Sequence, residues 1–370
     1  MSKIDDLIKE MCPDGVELIE LNKVTRYEQP TKYIVRSSIY NDSFSIPVLT
    51  AGKTFILGYT DESSGIYNAS VHPVIIFDDF TTANKWVDFD FKVKSSAMKM
   101  ITSADEGAVL LKYIYYWLNT LPSGLVEGDH KRQWISSWSK KKIPVPPLEV
   151  QKEIVRVLDS FTELEAELEA ELEARKKQYE YYRNTLLTFN ERERVEYVQI
   201  GDICNMKRGR RVIKSQLNDT GLYPVYQNSL LPLGFFNEYN CRAGSVFMIS
   251  AGAAGNIGFS NVDFWAADDC WIFDCSQNLS KRFLYYALKN QQNTINSGVR
   301  RSSIPRLSRS FIENIKIPIP PLEKQKQIVS ILDKFEKLTN DIAFGLPAEI
   351  EARRKQYEYY RNKLLTFKEV

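Results

Sequence analysis

The spacing of apolar residues changes along the chain and then repeats. Between residues 46 and 101, short apolar runs such as PVLT, TFILGYT and HPVIIFDDF are separated by glycine, asparagine and serine, which predicts short β-strands joined by turns. From residue 148 to about residue 189 the apolar spacing becomes three and four residues, which predicts one long helix of about 60 Å with an apolar seam. The seam residues are Leu158, Phe161, Leu168, Leu172, Tyr179, Tyr182, Leu186 and Phe189.

The same order of patterns returns in the second half. Residues 195–203 match the alternation of residues 16–24, the runs SVFMIS, NIGFS and CWIFDC predict strands, and helical periodicity over residues 282–290 matches that over residues 108–119. Each half then reaches a proline-rich segment, IPVPP or IPIPP, which excludes helix and predicts an extended entry into a long helix. Gly345 and Pro347 predict a break in the second long helix.

The repeat is also visible residue by residue. Residues 173–189 and 351–367 differ only at Lys176/Arg354 and Thr185/Lys363, and residues 143–161 match residues 317–335. Such a repeat predicts two units of one fold with different surfaces. We therefore predict a first variable domain over residues 1–147, a helix over 148–190, a second variable domain over 191–321 and a helix over 322–370. Within the first long helix, the tetrapeptide ELEA occurs three times in tandem over residues 163–174.

Composition indicates a folded protein of two domains. The 370 residues are 44% hydrophobic and 26% charged, with a net charge of +2. Five cysteines, an odd number without paired metal-ligand spacing, predict reduced intracellular thiols. The acidic N-terminal segment has no apolar signal core, and the most apolar stretch, residues 108–118, is too short to span a bilayer, so we expect a cytoplasmic protein.

Candidates for catalysis are weak, and we predict no catalytic residue and no metal site. The segment Gly52-Lys53-Thr54 has Pro47 where a phosphate-binding loop needs glycine, and the glycine-rich residues 251–258 precede a predicted strand instead of a helix. The remaining candidates are the isolated histidines His72 and His130 and the acidic pairs Asp78-Asp79 and Asp268-Asp269, which lack the supporting lysine of a nuclease. An adenine methyltransferase motif of the Asn/Asp-Pro-Pro-aromatic type is absent from the sequence. The sequence therefore favours a binding protein.

Basic loops are the stronger signal, and both halves carry one just before the proline-rich entry. Arginine and lysine neutralise phosphates, and arginine, asparagine and glutamine also read base edges. Any single basic cluster could instead be a solvated charged loop. A basic loop occurs before the proline-rich entry in both halves, however, and this favours DNA binding. The predicted DNA-binding residues are Lys53, Lys85, Lys131, Arg132, Gln133, Lys207, Arg208, Arg210, Arg211, Asn228, Asn256, Arg300, Arg301, Ser303 and Arg306.

These combined motifs resemble a known family. The I-P-x-P-P-L-E-x-Q-x-x-I-V-x-x-L-D blocks, the E-A-R-x-K-Q-Y-E-Y-Y-R-N-x-L-L-T-F helix ends and the tandem ELEA units are similar to those of specificity subunits of Type I restriction-modification systems. The resemblance covers essentially the whole chain. It implies an α+β fold in which two similar mixed α/β target recognition domains are joined by two long antiparallel coiled-coil helices.

The resemblance also implies partners. A family member would bind double-stranded DNA, two modification subunits and restriction subunits, with S-adenosylmethionine, ATP and Mg²⁺ held by those partners and none by this chain. Identity between the two helix ends predicts two equivalent partner-binding surfaces, and the alternative is a duplication whose identity carries no function. The predicted partner-binding residues are Gln178, Tyr179, Tyr182, Arg183, Gln356, Tyr357, Tyr360 and Arg361.

Three other functions remain open at the sequence level. One is the specificity subunit of a Type IIB-like system whose single partner fuses restriction and modification, which a pulldown would distinguish by partner number. The second is a coiled-coil scaffold that binds no DNA. The third is a nuclease or methyltransferase active by itself, which incubation of the purified chain with DNA and S-adenosylmethionine would reveal.

Overall fold

The structure, a computed structural model, describes residues 3–51, 54–122, 132–218, 220–340 and 344–370. The chain forms two compact units: unit 1 comprises Met1–Glu167 and Ile350–Val370, and unit 2 comprises Leu168–Glu349. Each unit therefore contains part of the long helices, whereas our sequence-based division treated those helices as separate segments.

The helices and strands follow the predicted order. Up to residue 187 they are α1 (Lys3–Met11), β1 (Glu17–Glu20), α2 (Leu21–Val24), β2 (Thr25–Glu28), β3 (Ile46–Leu49), β4 (Ile56–Thr60), β5 (Val74–Asp78), β6 (Asn84–Val87), β7 (Lys92–Val93), β8 (Met98–Ser103), α3 (Leu111–Leu118), α4 (Gln133–Ser136), β9 (Lys142–Val145) and α5 (Leu148–Leu187). After residue 187 they are β10 (Glu196–Gln199), α6 (Ile200–Ile203), β11 (Cys204–Arg208), β12 (Tyr223–Tyr226), β13 (Gly234–Phe236), β14 (Ser245–Ile249), β15 (Ile257–Ser260), β16 (Trp265–Ala266), β17 (Cys270–Cys275), α7 (Lys281–Asn290), α8 (Gln292–Ser297), α9 (Arg309–Glu313), β18 (Lys316–Ile319), α10 (Leu322–Asn340) and α11 (Leu346–Leu364).

The two units have the same sheet topology. Unit 1 contains sheets of order β2-β8-β5-β6, β4-β3-β7 and β1-β9, and unit 2 contains the matching sheets β11-β17-β14-β15, β13-β12-β16 and β10-β18. In both three-stranded sheets one strand pair is parallel, β3 with β7 and β12 with β16. The internal repeat predicted from the sequence is thus a repeat of fold, although the variable segments share little sequence.

A buried glutamine fixes each variable domain to its long helix. Gln151 on α5 accepts a hydrogen bond from the amide of Leu110 (2.9 Å) and donates to the carbonyls of Ala108 (2.9 Å) and Pro146 (2.8 Å). Its side chain is fully buried. Because this side chain accepts one hydrogen bond and donates two, the position requires a carboxamide, which does both.

Unit 2 repeats this arrangement with Gln325. Its side chain accepts from the amide of Ser280 (2.9 Å) and donates to the carbonyls of Asn278 and Pro320, both at 2.8 Å. Both glutamines come from the repeated P-P-L-E-x-Q block, so the block encodes a specific attachment between the recognition segment and the helix.

A cation lies beside this attachment in each unit. Lys112 pairs with Asp159 (3.4 Å) and lies over the ring of Trp86 in unit 1. Arg282 pairs with Asp333 (2.7 Å) and lies 4.5 Å from the ring of Phe259 in unit 2. Both cations therefore join the recognition segment to the long helix.

The long helices pack in opposite directions within each unit. In unit 1, Phe161 of α5 stacks on Tyr360 of α11 at 5.5 Å, while Arg354 of α11 contacts Glu165 of α5. In unit 2, Tyr182 of α5 stacks on Phe335 of α10 at 5.2 Å. The predicted aromatic positions of the seam are therefore confirmed as packing positions, and the second helix is interrupted between α10 and α11 as Gly345 and Pro347 predicted.

Two cysteines correct the prediction of reduced thiols. Cys204 and Cys275 are register partners on β11 and β17 with Cα atoms 3.9 Å apart, and they form a disulfide. The prediction failed because the two cysteines are 71 positions apart in the sequence, which hid the strand pairing. Cys12, Cys241 and Cys270 are free and buried. Within the described residues, no helix is both long and apolar enough to cross a membrane.

Candidate nucleic-acid interface

The first basic loop of unit 2 extends from the end of β11. The amide of Gly209 donates to the carbonyl of Cys270 (3.0 Å), and that of Arg210 donates to the carbonyl of Ala266 (2.9 Å). A Cβ atom at Gly209 would lie 2.1 Å from the carbonyl oxygen of Ala267, so only glycine allows this close approach. The backbone of the loop is therefore held against the β16–β17 connection.

The cations of this loop face solvent. Arg210 and Arg211 are exposed, while the guanidinium Nε of the exposed Arg208 donates to the carbonyl of Asp268 (2.7 Å). Lys207 is paired with Asp274 at 2.7 Å, and its ammonium lowers the pKa of the Asp274 carboxyl. Of the four predicted cations, Arg210 and Arg211 are thus the best placed for phosphates.

The second basic loop lies at the same end of the four-stranded sheet as the first. Arg300 and Arg306 exchange two backbone hydrogen bonds, of 2.8 and 3.1 Å, which form a small hairpin. Its base is attached by bonds from the amide of Leu307 to the carbonyl of Ser250 (2.9 Å) and from the amide of Gly252 to the carbonyl of Pro305 (3.1 Å). The predicted residues on it, Arg300, Arg301, Ser303 and Arg306, are all exposed.

The β16–β17 connection brings the two basic loops together. Ser250, directly after β14, holds the second loop through its carbonyl. Its amide donates to the carbonyl of Asp269 (2.7 Å), which belongs to the connection that holds the first loop. Asn228 lies beside the turn after β14, where its backbone carbonyl accepts a hydrogen bond from the amide of Ala253 (2.8 Å). Asn256 is exposed on the same turn, which leads into β15, the strand predicted instead of a cofactor-binding helix. In unit 2 these backbone bonds therefore place the two basic loops beside one connection, with Asn228 and Asn256 next to them.

Unit 1 repeats the anchor of the second loop. The amide of Gln133 donates to the carbonyl of Asp79 (2.8 Å), the position that corresponds to Ser250. The carboxylate of Asp79 accepts from the amide of Trp134 (2.9 Å) and pairs with the buried Lys99 (3.6 Å). Arg132 is exposed next to this anchor, at the position that corresponds to Arg306.

The other predictions in unit 1 are not brought together in this way. Lys85 is exposed on the edge strand β6. Lys53 and Lys131 lie outside the described residues. The acidic pair Asp78-Asp79 has structural bonds: the Asp78 carboxylate accepts from the amide of Phe80 (2.9 Å) and the hydroxyl of Thr81 (2.6 Å).

Comparison with known proteins identifies the family of the chain. The sequence model of the family "Type I restriction modification DNA specificity domain" matches residues 13–174 and 192–352, which is most of the chain. The chain belongs to this family. It is therefore a specificity subunit of the Type I restriction-modification class, a non-catalytic DNA-recognition protein, as the sequence resemblance predicted.

Relatives and solved structures agree. The chain is 45% identical to the Type I restriction enzyme EcoR124I/EcoR124II specificity subunit of Escherichia coli, over 99% of this chain and 98% of that protein. It is 36% identical to a putative type I restriction enzyme specificity subunit of Haemophilus influenzae, over 69% of this chain and 72% of that protein. The fold is similar to the crystal structure of a Type-I restriction-modification system S subunit from M. genitalium, with a TM-score of 0.69, 18% identity, and coverage of 95% of this chain and 97% of that one.

Several predicted partner-binding residues of this specificity subunit pack inside its units. Burial raises the pKa of Tyr179 and of Tyr357 to about 12 each. Arg183 lies over the ring of Tyr179, and Arg361 over that of Tyr357, at 5.3 and 5.6 Å. Tyr182 and Tyr360 stack in the helix seams described above, and Gln178 and Gln356 accept hydrogen bonds from Arg175 and Arg353 of their own helices. These residues shape the helix pairs.

A different set of repeated residues faces outward. Tyr181 and Tyr359 are 65% and 63% exposed. Around each tyrosine the same helix face carries an identical exposed lysine, glutamate and asparagine at helical spacing. This outer stripe consists of Lys177, Glu180, Tyr181 and Asn184 on α5, and of Lys355, Glu358, Tyr359 and Asn362 on α11. The predicted partner-binding residues lie mostly on the inner face of this segment, and only the packing separates that face from the outer one.

Proposed function

We propose that this specificity subunit recognises a bipartite DNA site, one half with each unit, and directs adenine-N6 methylation and restriction by partner subunits. The observation that carries the proposal is that two exposed basic loops are anchored beside one connection in unit 2, with the second anchor repeated in unit 1. On such loops the exposed arginines would neutralise phosphates, and side chains near the points where the loops are anchored would contact the edges of the DNA bases.

The catalytic cofactors belong to the partners in this proposal. Modification subunits would hold S-adenosylmethionine, and restriction subunits would hold ATP and Mg²⁺. The described part of this chain has no group of three or more histidine, cysteine, aspartate or glutamate residues placed to hold a metal ion. The role that the chain's own residues support is placement of DNA relative to partners.

The outer stripe supports a stoichiometry of two modification subunits. A spacer helix needs only its inner seam, yet the exposed residues are also identical in the two copies. Large exposed aromatic side chains with polar neighbours are typical of interface anchors. Each stripe would therefore receive one modification subunit.

DNA binding through the two basic loops is tested by removing four cations together. We expect the change of Arg210, Arg211, Arg300 and Arg301 to alanine to weaken binding to all DNA sequences and to lower the slope of log affinity against log salt by about 0.9 per lost contact. Titration of DNA at several salt concentrations, with the chain in complex with its modification subunits, measures this slope.

The matched control removes the same charge from another surface of unit 2. Lys316, Lys324, Lys334 and Lys337 are exposed, and their change to alanine should leave the slope near its original value. Equal salt dependence in the arginine variant and the unmodified complex would contradict the proposed surface.

A further inference from the structure

The two copies of the repeated helix end, residues 173–189 and 351–367, differ at only two positions, and in unit 1 both of these positions make a contact. Arg354 of α11 contacts Glu165 of α5. Lys363 of α11 pairs with Asp5 of α1 at 2.8 Å. The two matching residues of α5 are exposed. The differences between the copies therefore correspond to what lies beside α11, and one of them corresponds to α1.

Helix α1 belongs to unit 1 and has no counterpart before the matching strand of unit 2. In unit 1 it precedes β1, whereas in unit 2 the matching strand β10 follows α5 with only a short 3₁₀ helix (Glu191–Glu193) between them. Ile4 of α1 is buried in the core of unit 1, and Leu7, Ile8 and Met11 pack against that core. α1 is thus a fixed part of one unit only.

The matching helix ends also differ in burial. Leu364 of α11 is 2% exposed and lies in the same core as Ile4. Its match in α5, Leu186, is half-buried. Val150, which is buried in that core, is matched in unit 2 by the exposed Lys324. Surface that is covered in unit 1 therefore stays open in unit 2.

α1 lies at the C-terminal end of the outer stripe of α11. Lys363 follows Tyr359 by four residues, so the two side chains share one helix face. Lys363 is also the residue that pairs with Asp5 of α1. A groove of about 390 Å³ lies between α1 and the end of α11, and its lining includes Lys9 and Phe367. The outer stripe of unit 1 is thus continued by α1.

A stripe of four side chains is too small for a stable interface. Specific protein–protein interfaces bury about 800 Å² of each partner and involve about 20–30 residues a side. A subunit that docks on either stripe must therefore extend onto the surface around it. At the end of the α11 stripe this surface is α1 with its groove, whereas at the end of the α5 stripe it is the exposed Thr185 on the helix itself.

We propose that α1 is part of the docking surface for one of the two modification subunits, the one at α11, so that the two repeated sites bind with unequal affinity. The subunit at α11 contacts α1 as well as the outer stripe, and this site is the tighter one. The inference rests on the proposed docking of one modification subunit on each stripe. It adds the element that distinguishes the two sites.

The test measures each site separately. Tyr181→Ala leaves only the α11 site, and Tyr359→Ala leaves only the α5 site. Each chain then also receives alanine at the exposed α1 residues Asp6, Lys9 and Glu10, and α1 is preserved because alanine is the best helix former. We expect this triple change to weaken binding of a modification subunit roughly 5- to 30-fold in the Tyr181→Ala chain and to leave it unchanged in the Tyr359→Ala chain. Titration with purified modification subunit, read by native mass spectrometry, gives both affinities.

The matched control removes the same charges from another part of unit 1. Lys32, Asp42 and Asp61 are exposed, and their change to alanine should leave both affinities unchanged. Glu10→Lys is the second variant if the triple change prevents folding, because a cation is favourable in the last turn of a helix. It should weaken the same site alone.

The outcomes separate this inference from the function on which it rests. If the unmodified chain binds fewer than two modification subunits, or if both tyrosine variants still bind two, the docking stripes are wrong and this inference falls with them. If each tyrosine variant binds one subunit and the α1 variants change neither affinity, or lower both equally, α1 is not part of the docking surface. Equal affinities of the Tyr181→Ala and Tyr359→Ala chains would also overturn it.

Discussion

At the scale of single residues, the two fully buried glutamines define the attachment of each recognition segment. Gln151 and Gln325 each make three bonds to backbone groups that have left water. Loss of a buried partner costs about 1–3 kcal/mol for each group left unpaired. These residues should therefore affect stability far more than their polarity suggests.

Replacement of Gln325 by methionine keeps the length of the side chain and removes all three bonds. We expect the free energy of unfolding to fall by about 2–4 kcal/mol, because the Ser280 amide and two carbonyls lose their partners. Chemical unfolding followed by circular dichroism measures the loss. The neighbouring exposed Lys324→Met is the control and should change stability by less than about 0.5 kcal/mol. An unchanged midpoint for Gln325→Met would contradict the role of the three bonds.

The cysteines allow a second test at this scale. Burial raises the pKa of Cys241 to about 11 and that of Cys270 to about 12, and it also raises the pKa of Cys12. Because the thiolate is the reactive species, alkylation of the folded chain at pH 8 should be slow at all three. After unfolding without reductant, mass spectrometry should find three alkylated cysteines, and with reductant five. Five without reductant would show that Cys204 and Cys275 are not paired.

At the scale of secondary structure, the tandem ELEA units make α5 a candidate ruler. Leu164, Leu168 and Leu172 are all partly buried, so each four-residue unit contributes one leucine to the packed side of the helix. One unit adds about 6 Å and about 400° of rotation, a net turn of about 40°. One base pair of B-DNA adds about 3.4 Å and about 34–36°. The rotations nearly match, although the lengths differ by about 2.6 Å.

We therefore expect deletion of residues 171–174 to shorten the spacer of the DNA site by one base pair and to leave both half-site sequences unchanged. A recognition domain rotated away from its groove loses its contacts with the DNA, whereas a small mismatch in length along the DNA axis costs only a modest DNA deformation. Mapping of N6-methyladenine in cells that express the variant with its modification subunit measures the spacer. Changing residues 171–174 to alanine keeps the helix length and should keep the spacer. An unchanged spacer in the deletion, or altered bases in either half, would refute the ruler.

At the scale of the whole molecule, the internal repeat predicts the number of partners. If each outer stripe receives one modification subunit, Tyr181→Ala or Tyr359→Ala should reduce the bound number from two to one, and the double variant should bind none. Native mass spectrometry counts the subunits. Thr185→Ala changes an exposed residue that is not repeated and should retain two. Two subunits on the double variant would exclude the stripes as the docking surfaces.

Much of this organisation could be predicted because helix periodicity, proline positions and internal identity are local signals. The succession of strands and helices along the chain, the two long helices and the break before Pro347 all follow from such signals. The Cys204–Cys275 pairing and the meeting of the two basic loops at the β16–β17 connection could not be predicted, because each depends on segments that are distant in sequence and meet in the fold. The packing was also needed to tell the inner face of the identical tyrosine segments from the outer face, since Tyr179 and Tyr181 belong to the same short motif.

Unit 1 is built from two separate stretches of chain, and this has a consequence for synthesis. Its core includes Leu364 and Leu365, with Tyr357 and Tyr360 packed against it. During translation these residues emerge only after the continuous unit 2 has been completed. The first half to be synthesised is therefore the last to become complete, and it keeps apolar surface exposed while the second half folds. A nascent chain interrupted near residue 349 would leave the ribosome with a finished second domain and an unclosed first one.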